Sequence, residues 1–146
     1  MKYFLICTSL LLLCCTNALA DDSKAVSLGQ QVIHDCTKKT PSHLQEMNCE
    51  GDEKEALKKK MQEAYNLALM KAKERDKSEI ADHDEPYSYA EKNLKASQKA
   101  FEHYMNKECY RQGRFLAGGN GEDDVVWGCE VDMQNERIQA LNRKYE

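Results

Sequence analysis

Seven cysteines stand in a chain of 146 residues, and cysteine has the widest chemistry of any residue type here. A thiolate beside a base is a nucleophile, closely spaced pairs hold zinc, and two apposed thiols in an oxidising compartment form a disulfide. Which chemistry is open depends on which cysteines survive processing. The stretch MKYFLICTSLLLLCCTNALA carries Lys2, an apolar run from Phe4 to Cys15 and a small-x-small end at Ala18-Leu19-Ala20, before Asp21-Asp22. That is the anatomy of a secretory signal, with Asp21 predicted as the mature N-terminus. The run is short for a membrane span and lacks a stop-transfer flank. A lipid anchor on Cys14 or Cys15 would want a small residue just before it, where Leu13 and Cys14 stand. The predicted organisation is a signal peptide, 1–20, and a single domain, 21–146. The mature protein is expected in the periplasm or outside the cell, with no integral membrane segment.

Cys36, Cys49, Cys109 and Cys129 remain. An even number of cysteines in an exported chain points to disulfides. A zinc site would want CxxC-type pairs, and His34-Asp35-Cys36 is a lone HxC. A nucleophile needs a free thiol and a nearby base; His103 precedes Cys109 by six residues, on another side of a helix. Four cysteines allow three pairings, and sequence alone does not select one. The local pairing, Cys36–Cys49 with Cys109–Cys129, closes two short loops, each worth about 3 kcal/mol in the chain-entropy model. No carboxylate pair stands out as an acid/base couple among the many solvated ones. GGNGEDD lacks the Lys and the preceding strand of a phosphate loop. The expectation is therefore no catalytic residue, no metal and no cofactor.

The elements that position these cysteines read as helices. Thr40-Pro41 looks like an N-cap with Pro at the first helical position. From there to about Lys77 the chain is rich in helix formers, with Leu57, Met61, Ala64, Tyr65, Ala68, Leu69 and Ala72 as an apolar stripe and Gly51 as a weak point. EIADHDEPY breaks the pattern, and Ser88-Tyr89-Ala90-Glu91 fits a capping box. A second stripe, Ala90, Leu94, Phe101, Tyr104 and Met105, ends at Cys109. After the Gly-rich reversal, Asp123 or Asp124 is placed to cap a third helix carrying Val126, Cys129, Met133, Ala140 and Leu141. Residues 24–35 suit a short leading helix. The predicted fold is all-α: a small antiparallel bundle or hairpin of three to four helices held by two disulfides. Tyr65, Phe101, Tyr104 and Trp127 are assigned to the core.

Several of these residues fall in one frame. Asp35-Cys36 and Cys49 are followed by Gln62-Glu63-Ala64-Tyr65, then Gln98, Phe101 and Tyr104 leading to Cys109, and Cys129 leading to Arg137. Taken together they resemble the LprI-like family, exported bacterial domains named after a lysozyme inhibitor. Phe101 stands where the family usually has Trp, and Gln62 where it has Asn. The resemblance implies an all-helical domain with local disulfides and a structural role for Tyr65, Gln98, Phe101, Tyr104 and Arg137; Gln98 and Arg137 are placed either to meet between helices or to face solvent at tolerant positions. It also implies a non-enzymatic protein that inhibits a lysozyme-like muramidase by occlusion. The alternative is an envelope or immunity-type protein with another target, or a helical assembly module.

Without the leader the chain carries 20 basic and 25 acidic side chains, a net charge of −5. That balance disfavours nucleic acid and anionic membranes and suits a cationic partner such as a lysozyme. The acids concentrate in two loops, Asp82, Asp84 and Glu85 with Tyr87, and Glu122, Asp123 and Asp124. These seven residues are the candidate partner-binding positions, alongside their plainer roles in solubility and helix capping.

Overall fold

The computed structural model describes residues 26–83, 85, 88–115, 119 and 121–143, so the leader lies outside it. The described chain forms α1 (Leu28–Lys39), α2 (His43–His83), α3 (Ala90–Arg114) and α4 (Glu122–Asn142), with no strand among the described residues. The all-α class and the two local disulfides are as the sequence led us to expect: Cys36 is bonded to Cys49 and Cys109 to Cys129.

The long α2, about 60 Å from end to end at 1.5 Å per residue, is the spine. Its stripe faces inward, with Met61 and Ala64 buried and Leu57, Tyr65, Ala68, Leu69 and Ala72 half-buried. α3 returns along it, and α4 turns back again, since Cys129 near its start meets Cys109 while Arg137 near its end meets Gln98. α4 touches all three other helices, whereas α1 and α3 share no contact. The buried apolar core is small: Cys36, Met61, Ala64, Met105, Cys109 and Val131. Among the described residues the largest side chains less than 2 % exposed are Cys36 and Cys109, both disulfide-bonded. Met133 Sδ packs 3.7 Å from Cys109 Sγ and 4.0 Å from Cys129 Sγ. Crosslinks therefore occupy the places where a larger domain would put leucines. Closing loops of 13 and 20 residues, they constrain the unfolded chain by about 3 kcal/mol each.

The short α1 is fixed at close quarters to α4. A Cβ on Gly29 would lie 2.2 Å from the Gly128 carbonyl oxygen and 2.6 Å from its Cα, so only glycine lets the two backbones cross. The Gly29 amide donates to Asp132 Oδ1 at 2.8 Å, which gives the crossing a polar anchor at the helix N-terminus.

Local chemistry sets the helix ends, and here several expectations are corrected. α1 starts in a capping box: Ser27 Oγ accepts from Gln30 N at 3.2 Å and Gln30 Oε1 from Ser27 N at 3.3 Å. Thr40 is the C-cap of α1 and not the N-cap of α2; the following Pro41 holds it extended. Ser42 opens α2, its carbonyl accepting from Glu46 N at 3.0 Å and its hydroxyl from Gln45 N at 3.4 Å. α2 runs on to His83, so residues 79–83 belong to the helix and not to the break. α4 begins after Gly121 without a side-chain cap. Asp123 and Asp124 sit inside its first turn, where their charge suits the helix dipole. The capping box at Ser88 is absent, and Tyr89 is the N-cap of α3.

Candidate functional site

The α2–α3 corner is built by carboxylates reaching across from α2. Asp76 accepts from the Ala90 amide (2.7 Å) and the Glu91 amide (2.9 Å), so it caps α3 from fourteen residues upstream. Ser88 Oγ donates to Asp76 Oδ1 and to Glu79 Oε2, and the Ser88 amide donates to Glu79 Oε2 at 2.9 Å. Arg75 in turn donates to Glu79 at 2.9 Å. The supposed Ser88 cap is thus turned away, and Tyr89 at the N-cap adopts a left-handed conformation, φ 45°. A non-glycine residue there carries strain of order 1 kcal/mol, sustained by the surrounding bonds. The amides donated to Asp76 and Glu79 hold both carboxyls below their ordinary range.

The acidic candidates sit in two separate places. Asp82 and Glu85 are exposed beside this corner, while Asp84 and Tyr87 lie outside the described residues. Glu122, Asp123 and Asp124 lie at the start of α4, near the far end of α3. The intervening helix is about 36 Å long, so the structure does not bring the two groups together. Asp123 is exposed, Glu122 lies 3.6 Å from Arg114, and Asp124 is half-buried and near enough for its charge to act on Glu50.

Between α3 and α4 sits a polar lock. Arg137 donates from Nε to Gln98 Oε1 at 2.9 Å and from Nη2 to Ser97 Oγ at 2.8 Å, with its guanidinium 5.4 Å from the centre of the Phe101 ring. Gln98 is buried and passes the network on to Glu102 at 3.1 Å. Tyr65, Phe101 and Trp127 are half-buried, but Tyr104 is 58 % exposed and is not core. Its neighbour Met105 takes the inward position on α3, which leaves the tyrosine in solvent.

Two features were missed in the sequence. Glu50 is buried where α2 meets α1 and α4. Its Oε1 has no hydrogen-bond partner. Burial, and then the charges of Asp124 and Glu46, push its carboxyl up to about 7, with His43 opposing weakly. One turn along, Lys54 and Glu130 form an ion pair between α2 and α4. Nothing in a rod so rich in Glu marks Glu50 as different. The second feature is a basic and aromatic surface at the end of α3, formed by Lys107, Tyr110, Arg111, Arg114 and Phe115. Its signal was available, since residues 107, 111 and 114 repeat at helical spacing. Among the described residues no group of three or more His, Cys, Asp or Glu side chains is placed to hold a metal ion. Nor is any described helix long and apolar enough to cross a membrane.

A thin all-α core, two local crosslinks and chemistry carried on exposed helix ends define a small disulfide-bonded helical domain. Residues 36–141 match the family described as lysozyme inhibitor LprI, and the chain belongs to that family. It is also 29 % identical over 136 residues to an uncharacterized protein of Rhizobium meliloti (strain 1021), covering 93 % of this chain and 91 % of that one. No solved structure matches it.

Proposed function

We propose that the mature protein, residues 21–146, is exported to the periplasm or the cell exterior and inhibits a lysozyme-like muramidase by occluding its cleft. Membership of the lysozyme inhibitor LprI family is the observation that carries this reading. The signal-like leader and the net charge of −5 without it support the compartment and a cationic partner. In this reading the protein binds and does not turn over substrate. Its acidic ends guide the encounter: Asp82 and Glu85, with Asp84 and Tyr87, on one side, and Glu122, Asp123 and Asp124 on the other. Charges on a rim raise association rates more than they slow dissociation.

The test is lysis of cell walls by a cationic lysozyme, followed by turbidity across a range of salt. Saturable inhibition at 1:1 stoichiometry is expected. Changing Asp82 and Glu85 to Ser should slow association several-fold at low salt and little at high salt, because screening at about 8–10 Å removes their long-range pull. No inhibition at large molar excess of the unaltered protein would remove the muramidase reading. It would favour an envelope or immunity-type partner, for which a pull-down of the mature protein from envelope extract is the next measurement.

A further inference from the structure

The last two turns of α3 contradict the chain's overall charge. A shallow groove of about 460 Å³ there is lined by Lys107, Tyr110, Arg111, Arg114 and Phe115, three cations and two aromatics with no acid among them. Phe115 is 78 % and Tyr110 52 % exposed. An apolar ring that open, flanked by cations, is a poor use of surface unless something covers it.

The two arginines are held in place. Arg111 pairs through both Nε and Nη2 with Glu108, and its guanidinium lies 5.5 Å from the centre of the Phe115 ring. Arg114 stacks 4.9 Å from the centre of the Tyr110 ring and donates through Nε to the Tyr110 hydroxyl at 2.8 Å, with Nη2 donating to the same oxygen. Its nearest carboxylate, Glu122, stays at 3.6 Å, and Lys107 forms no ion pair among the described residues. The charges of Arg114 and Lys107 are therefore only partly compensated at this helix end. Arginine and aromatic side chains of this kind carry most of the energy in protein interfaces, and fixing them beforehand lowers the ordering cost of binding.

We infer that this basic and aromatic end of α3 is the element that enters the muramidase cleft, with Arg114 and Lys107 facing the cleft carboxylates and Phe115 lying where a sugar ring would sit. The inference rests on the proposed function and adds the contact surface to it. Charge complementarity selects the occupant. Glycoside hydrolysis places two carboxyl groups on either side of the scissile bond, so even a cationic muramidase is acidic at the bottom of its cleft. A guanidinium there can make charge-assisted bonds to a carboxylate that water cannot match. An inhibitor acidic at its rim and basic at one helix end fits an enzyme that is basic at its rim and acidic within.

The experiment compares the full mature protein with a Lys107→Glu/Arg114→Glu variant, against a cationic lysozyme and against the same lysozyme with its catalytic carboxylates changed to amides. All four replaced groups are exposed or cleft-lining, and circular dichroism with a free-thiol assay establishes that the variant keeps its helices and bridges. The unaltered protein should bind the amidated enzyme at least tenfold more weakly than the native one. The variant should bind native lysozyme at least tenfold more weakly and show no further loss on amidation. A variant that inhibits like the parent would overturn this surface while leaving the proposed function intact. A variant equally weakened against both enzymes, yet a parent indifferent to amidation, would show docking away from the carboxylates and overturn the stated occupant. Sedimentation with insoluble peptidoglycan lost in the variant, with lysozyme inhibition unchanged, would assign the surface to a glycan and overturn it as well. A parent that binds no lysozyme would bring down both readings.

Discussion

The two halves of the bundle are held by different forces. In one half, α1, the start of α2, the end of α3 and the start of α4 meet around both disulfides, the Gly29–Gly128 crossing and the buried Glu50. In the other, α2 turns into α3 with no crosslink among the described residues, and order comes from Asp76, Glu79 and the Arg137–Gln98 lock. The first half tolerates a carboxyl it does not satisfy because covalent bonds hold it. In the second, the Asp76 and Glu79 carboxylates are satisfied by the amides of the α2–α3 corner, and those hydrogen bonds are what hold it. The same residue type thus destabilises one half and builds the other, and the two respond to pH with opposite sign.

Removing the staple should have the largest effect on that contrast. Changing Cys36 and Cys49 together to Ser should cost about 3 kcal/mol of unfolding free energy. Native-state hydrogen exchange should then show α1 opening first, ahead of α2 and α3. Retention of parental protection in α1 would mean that the glycine crossing and the Gly29–Asp132 bond suffice to dock it.

Glu50 gives the next largest change. Its carboxyl is raised in the folded protein to about 7, so the native state holds the proton more tightly than the unfolded chain. The stability it contributes is complete below about pH 4.5 and declines as pH rises toward 7. Glu50→Gln should therefore stabilise the protein at pH 8 by on the order of 2 kcal/mol and leave it unchanged at pH 4. Denaturant unfolding at the two pH values measures both. A gain of equal size at both would trace the effect to packing and not to charge.

Asp76 tests the other half, with the smallest expected effect. Its carboxyl is held low, chiefly by the Glu91 amide, so its contribution is present at neutral pH and is lost as pH falls through the acid range. Asp76→Ala should fray the first turn of α3, speeding amide exchange at Ala90 and Glu91 by about tenfold, the size of a typical N-cap. The two crosslinks should confine that loosening to the corner.

How much of this was legible follows from the range of each interaction. Helical periodicity placed Cys109 and Cys129 on inward stripes on either side of a reversal, which is local information. The short α1 was visible in its run, but it spans Leu28–Lys39 and not 24–35, and its local capping box at Ser27 went unread. The corner was not, because the cap of α3 comes from Asp76 on another helix while a closer, plausible Ser88 competes for attention. Glu50 was hidden because its burial depends on α4 docking from seventy residues away. Tyr104 misled because an amphipathic stripe gives a direction but not its width, and Met105 occupies the inward slot. The basic end of α3 was passed over because net charge averages away a local reversal of sign.

The order of the cysteines also bears on how the protein is made. A chain that emerges N-terminus first presents Cys49 as the next partner of Cys36 and, once those two are joined, Cys129 as the remaining partner of Cys109. Each native bond then joins cysteines that are consecutive in the chain. Oxidation in chain order then leads to the native pairs without the thiol–disulfide reshuffling that otherwise takes seconds to hours.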